Sequence, residues 1–239
     1  LAALPFAFVY LAWRALRQPD YLRHWHERLG YAPVPPAGCP VIWVHAVSVG
    51  ETRASELLVR ALLRDHPGAY ILLTHSTPTG RAAGEAIFGG AVARAYLPYD
   101  LPWLLRRFLR RARPGLGIVM ETEIWPNLAA ICQASDVPLY LVNARLSERS
   151  ARGYRRVRPL VAATLKAYTG VIAQSEADAA RLRELGACAV TVVGNLKFDV
   201  AAHADSARQA DALRALIGAR KVWLAASTRE GEEALMIEA

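Results

Sequence analysis

Lysine is almost missing from this chain. Of 29 basic side chains only three are lysines, Lys166, Lys197 and Lys221, so arginine carries nearly all the positive charge. Cysteine is equally scarce: Cys39, Cys132 and Cys188 lie far apart and are odd in number. That argues against a disulfide framework, offers no paired-cysteine metal site and suits a reduced, cytosol-facing protein. The six histidines include His24 and His26, but no ligand set accompanies them, so neither a structural metal nor a cofactor is expected. No apolar run reaches the ~20 residues that cross a bilayer. Internal repeats and low-complexity tracts are absent. So is any nucleic-acid recognition motif or regular interleaving of aromatic with basic residues, which excludes a nucleic-acid partner in spite of a net charge of +8.

What is present points to a globular core and an anionic partner. The chain has 239 residues, 54% of them hydrophobic, enough for one large domain or one domain and part of another. The charge favours a phosphorylated substrate or an acidic membrane surface. The arginine and alanine excess is also a compositional bias, so charge alone does not specify a polyanion. Residues 1–13 are nearly all apolar and are followed by Arg14, Arg17, Arg23 and Arg28. This pattern predicts a membrane-associated helix within residues 1–30, with its basic flank on the cytoplasmic side. Pro33, Pro35, Pro36 and Pro40 make residues 31–40 a stiff linker.

Beyond the linker, short apolar runs alternate with amphipathic ones. Strands are expected at residues 41–46, 70–74, 116–120, 138–142, 170–173 and 190–193, with a weaker one near 94–96. Helices are expected at 53–64, 79–88, 101–112, 127–134, 155–168 and 176–185. The order predicts an α/β fold, a Rossmann-like parallel sheet with helices on both faces, over residues 41–200. Residues 201–220 read as a linker helix, "KVWLAAS" at 221–227 as a strand, and "TREGEEALMIEA" as a loop and helix. One strand and one helix cannot bury a core. Residues 221–239 are therefore expected to begin a second, truncated Rossmann-like domain, and the chain to be inactive by itself.

In an open α/β sheet, ligands bind outside the carboxyl ends of the strands. Glu51 falls at that rim in "HAVSVGE", and Glu121 and Glu123 fall there in "METEIWPN". Asn143 and Arg145 follow the next strand, and Gln174 and Ser175 the one after. Glu51 has two readings. Ser48-x-x-Glu51 matches a capping box, as Ser175-x-x-Asp178 does, and needs no chemistry. Alternatively, Glu51 is a general base, kept ionised by the helix dipole, beside a glycine, Gly50, that admits a ligand close to the backbone. Lys197, in "GNLKFD", is a candidate ammonium donor or a surface partner of Asp199. The segment "LPWLLRRFLRRARPG" sets an apolar face against five crowded arginines, an ordinary surface helix or one that faces anionic headgroups.

The stretches "WVHAVSVGE", "LLTHSTPTGR", "YLPYDLPWLLRRFLRRARPGLGIVMETEIWPNL", "LVNARLSERS" and "VVGNLKFD" together resemble the 3-deoxy-D-manno-octulosonic acid (Kdo) transferases of lipopolysaccharide synthesis. The likeness runs from "WRALRQPDYLRHWHERLG" to "AASTREGEE". It implies a two-domain, inverting glycosyltransferase of GT-B type on the cytoplasmic face of the inner membrane. The N-terminal domain would bind the lipid A precursor and the C-terminal domain the donor CMP-Kdo. By motif, Glu51 matches the general base, and Glu121 and Lys197 the positions that stabilise the transition state. Ser48, Gly50, Asn143 and Arg145 would line the acceptor side. Ser227 and Thr228 would open the donor domain, with Arg229 where many relatives carry histidine. The alternatives are another nucleotide-sugar transferase of the same fold, or a non-catalytic domain that binds lipid headgroups.

Overall fold

The computed structural model describes residues 13–14, 16–196 and 204–238. The chain divides into two compact units, Leu1–Asp199 and Val200–Ala239.

The first unit is built on seven parallel strands: β1 (Val41–His45), β2 (Tyr70–His75), β3 (Ala93–Tyr96), β4 (Leu116–Met120), β5 (Leu139–Ala144), β6 (Gly170–Ala173) and β7 (Val190–Val192). Their order across the sheet is β3-β2-β1-β4-β5-β6-β7. The chain winds outward from β1 to β3, then crosses back so that β4 pairs with the other side of β1. The order therefore reverses between β1 and β4, where a doubly wound sheet opens its crevice. The central strands are apolar without alternation because helices cover both faces.

On one face lie α1 (Val49–Ala54), α2 (Glu56–Asp65) and α3 (Pro78–Phe88). Ala54, Val59 and Phe88 pack there on Ile42, Val44, Ile71 and Leu73. On the other lie α4 (Pro102–Ala112), α5 (Pro126–Ala134), α6 (Glu148–Arg155), α7 (Arg158–Lys166) and α8 (Glu176–Leu185). Their apolar sides close over Trp43, Leu72, Val119, Leu141 and Val171. Trp43 anchors this second layer: its indole meets Phe108 edge-on at 5.1 Å and donates to Thr74 Oγ1 at 2.7 Å. Gly117 makes room for it, since a Cβ there would come within 2.9 Å of the indole.

Several sequence expectations change. The helix expected at 53–64 is two helices that break at Ser55, whose hydroxyl donates to the Thr52 carbonyl at 2.8 Å and competes with the helical ladder. The helix expected at 155–168 forms as α7, Arg158–Lys166, and a helix that was not expected, α6, precedes it. α6 buries only Ala151 and so carries no apolar stripe to announce it. Residues 18–29 do not continue one N-terminal helix. They form two 3-10 turns, Pro19–Leu22 and Trp25–Leu29, separated by His24 in the left-handed region (φ 54°). Residues 1–12, the apolar part of that expected helix, lie outside the described residues. Among the described residues, no helix is long and apolar enough to cross a membrane.

The proline-rich stretch lies along α4. Arg107, Arg111 and Arg113 donate to the carbonyls of Leu29, Ala32 and Pro35, and Arg107 stacks on Tyr31 at 4.6 Å. Three of the five crowded arginines thus fix the entry of the chain. Arg106 and Arg110 line a cleft of about 540 Å³ with Trp103 and Val137.

The second unit contains α9 (Ala204–Ile217) and α10 (Glu232–Glu238). The strand expected at 221–227 is not formed. A strand is held by its neighbours, and no described segment pairs with this one; Val222, Trp223 and Leu224 stand exposed.

Candidate active site

The β1–α1 turn delivers the first carboxylate. Ser48 is extended (φ −123°, ψ 174°) and caps α1, its hydroxyl accepting from the Glu51 amide at 3.5 Å. Glu51 folds back: Oε2 accepts from the Val47 amide at 2.7 Å and Oε1 from the Ser48 hydroxyl at 3.2 Å. The capping box is real, displaced by one residue because the carboxylate takes the amide before the cap. It leaves Glu51 only 8% exposed. Gly50 is exposed, and a Cβ there would meet nothing nearer than Ser48 Oγ at 3.9 Å, so packing does not demand its bareness.

The β4–α5 loop delivers the others. Glu121 leaves β4 in the left-handed region (φ 59°), and its amide donates to the Val142 carbonyl at 2.9 Å. A side chain with a Cβ seldom adopts that conformation outside functional loops. Thr122 donates to the Arg145 carbonyl, and Tyr168 Oη to the Glu123 carbonyl at 2.8 Å. Asp100 anchors the far end of the loop by accepting from the Asn127 and Leu128 amides at the start of α5, at 3.1 and 2.8 Å.

β1 and β4 are neighbours, so these two loops share the crevice at the switch point. Their charges feel one another. Burial pushes the Glu51 carboxyl up to about 7, the Val47 amide opposes it, and the charges of Glu123 and Glu121 push further. Burial, then Glu121, also raises Glu123. Glu51 was expected to stay fully ionised at the helix start; desolvation outweighs the dipole here and poises it near neutrality. A carboxylate of that kind accepts a proton readily and releases it readily at neutral pH.

Below the turn sit two buried histidines that no sequence motif singles out, since no ligand set accompanies them. His45 Nδ1 lies 3.1 Å from the Thr74 carbonyl and 3.0 Å from its hydroxyl. His75 Nδ1 lies 3.0 Å from the Ala46 carbonyl and 3.4 Å from Thr52 Oγ1. Burial, aided by His75, drives His45 down to about 3; burial, aided by Arg81 and Arg94, drives His75 to about 4. Both rings are neutral props of the floor. Among the described residues, no group of three His, Cys, Asp or Glu is placed to hold a metal ion.

Asn143 and Arg145 take different roles from each other. Asn143 is 1% exposed and left-handed (φ 57°), at a register shift between β5 and β6. Its Oδ1 accepts from the Leu196 amide at 3.2 Å and its carbonyl from Gln174 Nε2 at 2.9 Å. It ties down the segment that leads into Lys197. Arg145 is exposed at the rim. Asn143→Gly is expected to lose about 1 kcal/mol for the buried hydrogen bond. Asn143→Ala is expected to lose about 1–2 kcal/mol more, because alanine resists the left-handed backbone. Urea titration of both variants checks the order; equal losses would remove the backbone term. Lys197 lies outside the described residues. Ser227 (φ 60°) and Thr228, which hydrogen-bonds Glu233, belong to the second unit. Ser175 caps α8 for Asp178, whose Oδ1 holds the Leu146 amide at 2.8 Å, so that pair is structural.

Residues 23–200 match the model of the family described as 3-deoxy-D-manno-octulosonic-acid transferase (kdotransferase). The chain belongs to the Kdo transferase family. It is 48% identical over 217 residues to the 3-deoxy-D-manno-octulosonic acid transferase of Bordetella pertussis, covering 89% of this chain and 50% of that one. With the transferase of Haemophilus influenzae, identity is 35% over 245 residues, 100% of this chain and 57% of the relative. The chain thus spans about half the length of the curated Kdo transferases it matches. Among solved structures, the UDP-GlcNAc 2-epimerase of Neisseria meningitidis bound to UDP-GlcNAc aligns with a TM-score of 0.48 at 11% identity, over 76% of this chain and 56% of that one.

Proposed function

We propose that this chain is the acceptor-binding half of a GT-B enzyme that transfers Kdo from CMP-Kdo to a lipid A precursor, lipid IVA, with inversion. The observation that carries the reading is the meeting of Glu51 with Glu121 and Glu123 across adjacent strands, in a chain of the Kdo transferase family. Glu51 takes the proton of the acceptor hydroxyl as its oxygen attacks the anomeric carbon of Kdo. The bond from that carbon to the CMP phosphate oxygen breaks, and CMP departs with the electron pair. Positive charge that grows on the sugar faces Glu121; negative charge on the leaving phosphate is the task assigned to Lys197. Exposed Gly50 and Arg145, with Ser48, border the acceptor, and Ser227 and Thr228 belong to the donor side. No metal or cofactor enters the scheme.

Trp13, Leu16, Leu22 and Trp25 are exposed in a segment that also exposes Arg17 and Arg23. That mixture supports apposition to the acidic cytoplasmic face of the inner membrane, where the acceptor resides. The test is donor choice by the full-length protein. With lipid IVA, CMP-Kdo should be consumed and the product should gain one or more Kdo masses, while UDP-sugars remain intact. Consumption of a UDP-sugar instead would overturn the donor assignment. Binding of the lipid with no donor consumed would leave a headgroup-binding domain.

A further inference from the structure

Glu51 is held by the backbone of a residue, Val47, that other residues hold in turn. The Val47 amide donates to Glu51 Oε2 at 2.7 Å. The carbonyl of Val47 accepts from the Ser76 amide at 3.3 Å and from Thr77 Oγ1 at 3.1 Å. Thr77 also caps α3, accepting from the Gly80 amide at 3.0 Å. Gly80 sits so near that a Cβ there would reach 3.0 Å from the Val47 carbonyl oxygen and 3.3 Å from the Ser48 carbonyl carbon. The carbonyl of Ser76 accepts from Arg28 Nη2 at 3.0 Å.

Arg28 is an unusual residue for that position. It is 6% exposed, and its guanidinium lies 4.0 Å from the Tyr96 ring. Its neighbour Glu27, also buried, accepts from Arg81 Nη1 at 2.7 Å and from the Tyr96 amide at 2.9 Å. The 3-10 turn Trp25–Leu29 is thereby bolted to α3 and β3. A buried cation with one carbonyl partner is costly to retain unless that contact matters.

We infer that Arg28 and Thr77 are positioning residues for Glu51: they fix the β2–α3 turn against the Val47 carbonyl and so set where the Val47 amide presents the Glu51 carboxylate. The segment "HERLG" is then part of the site's frame, although it lies more than twenty residues ahead of Glu51 and touches neither Glu51 nor any group proposed to meet substrate. For its activity arm, the inference rests on the role of Glu51 given above.

The groups that face Glu51 are Ser48 on its own turn and Glu121 and Glu123 on the β4–α5 loop; His75 stands behind it across Thr52. None of these is altered by Arg28→Lys, Thr77→Val or Gly80→Ala. If the clamp operates, each variant loosens the Val47 amide from Glu51. Loss of that hydrogen bond should shift the Glu51 titration upward by about half a unit or more, read from the glutamate 13Cδ resonances of this chain. In the full-length protein, kcat should fall about tenfold, the size of one such bond, with KM for both substrates within about twofold. Thr77→Ser should restore both readouts.

Lower melting temperatures with the Glu51 titration and kcat unchanged would overturn the inference, for then Arg28 and Thr77 serve only the fold. If Arg28→Lys does not fold, Thr77→Val against Thr77→Ser decides. If the full-length protein transfers no Kdo, the titration still decides the clamp. A shifted Glu51 without any transfer would keep the clamp and remove the proposed base.

Discussion

Glu51→Gln is expected to lower Kdo transfer by the full-length protein roughly 10²–10⁴-fold, the usual contribution of a general base, and to make this chain more stable at pH 8. The two effects have one cause. Glu51 titrates near 4.5 when exposed, but burial and the charges of Glu123 and Glu121 raise it to about 7 in the fold. Between those values the folded state holds a proton that the unfolded state has released. Raising the pH through that window therefore costs stability, about 1.4 kcal/mol per unit and about 3 kcal/mol in all. Glutamine keeps an oxygen for the Val47 amide and a donor for Ser48, and it carries no charge to desolvate. The variant should match the parent near pH 4.5 and exceed it by about 2–4 kcal/mol at pH 8. Urea titrations across that range measure the difference. A difference that is flat with pH, together with activity that survives per folded molecule, would mean that the capping box accounts for Glu51 entirely. A site that is easier to fold when one of its charged groups is neutralised is the usual sign of a functional strain.

Acid should destabilise the protein steeply, and through residues outside the proposed site. His45 and His75 titrate at about 3 and about 4 in the fold, against 6.5 for an exposed histidine. Between about pH 6.5 and pH 4 the unfolded chain binds two protons that the folded chain refuses. Stability therefore falls as pH falls, by about 2.7 kcal/mol per unit from the pair, or about 5 kcal/mol between pH 6.5 and 4.5. That is a large part of the 5–15 kcal/mol available to an ordinary domain. Glu51 works in the opposite sense over the same interval and cancels about half, so the slope should be steeper in Glu51→Gln than in the parent. His75→Asn should remove about one proton from the slope, as a proton-uptake measurement on unfolding would register. Uptake that stays at its parental value in this variant would show that His75 is already charged in the fold.

How much of this was legible in advance differs by residue. Glu51 and Glu121 were legible because strand ends can be read from apolar runs, and the carboxyl edge of a parallel sheet is where loops carry function. Glu123 was visible at the same rim, but only the fold, which brings its charge and that of Glu121 to bear on Glu51, shows that the three carboxylates act on one another. Asn143 looked like a substrate contact because it follows a strand. Its left-handed backbone and its tie to Leu196, 53 residues on, show that it also braces a neighbouring loop. α6 went unseen because eight mostly polar residues have no periodic apolar face. What holds it comes from elsewhere: Arg155 meets Glu184 and Arg181 meets Glu148 across to α8. The reverse error, a strand at 221–227, arose because β propensity is local while pairing is not.

The sequence by itself determined the seven-strand α/β plan, the family and the rim on which the acids stand. Those features follow from apolar periodicity and short motifs, which are properties of neighbours along the chain. Only the tertiary structure decided that β1 and β4 lie side by side, that Glu51 is folded into its cap with its carboxyl near neutrality, and that Arg28 braces it through Ser76 and Val47. Each of these depends on desolvation and on contacts between residues distant along the chain, and those exist only when the sheet has closed its core.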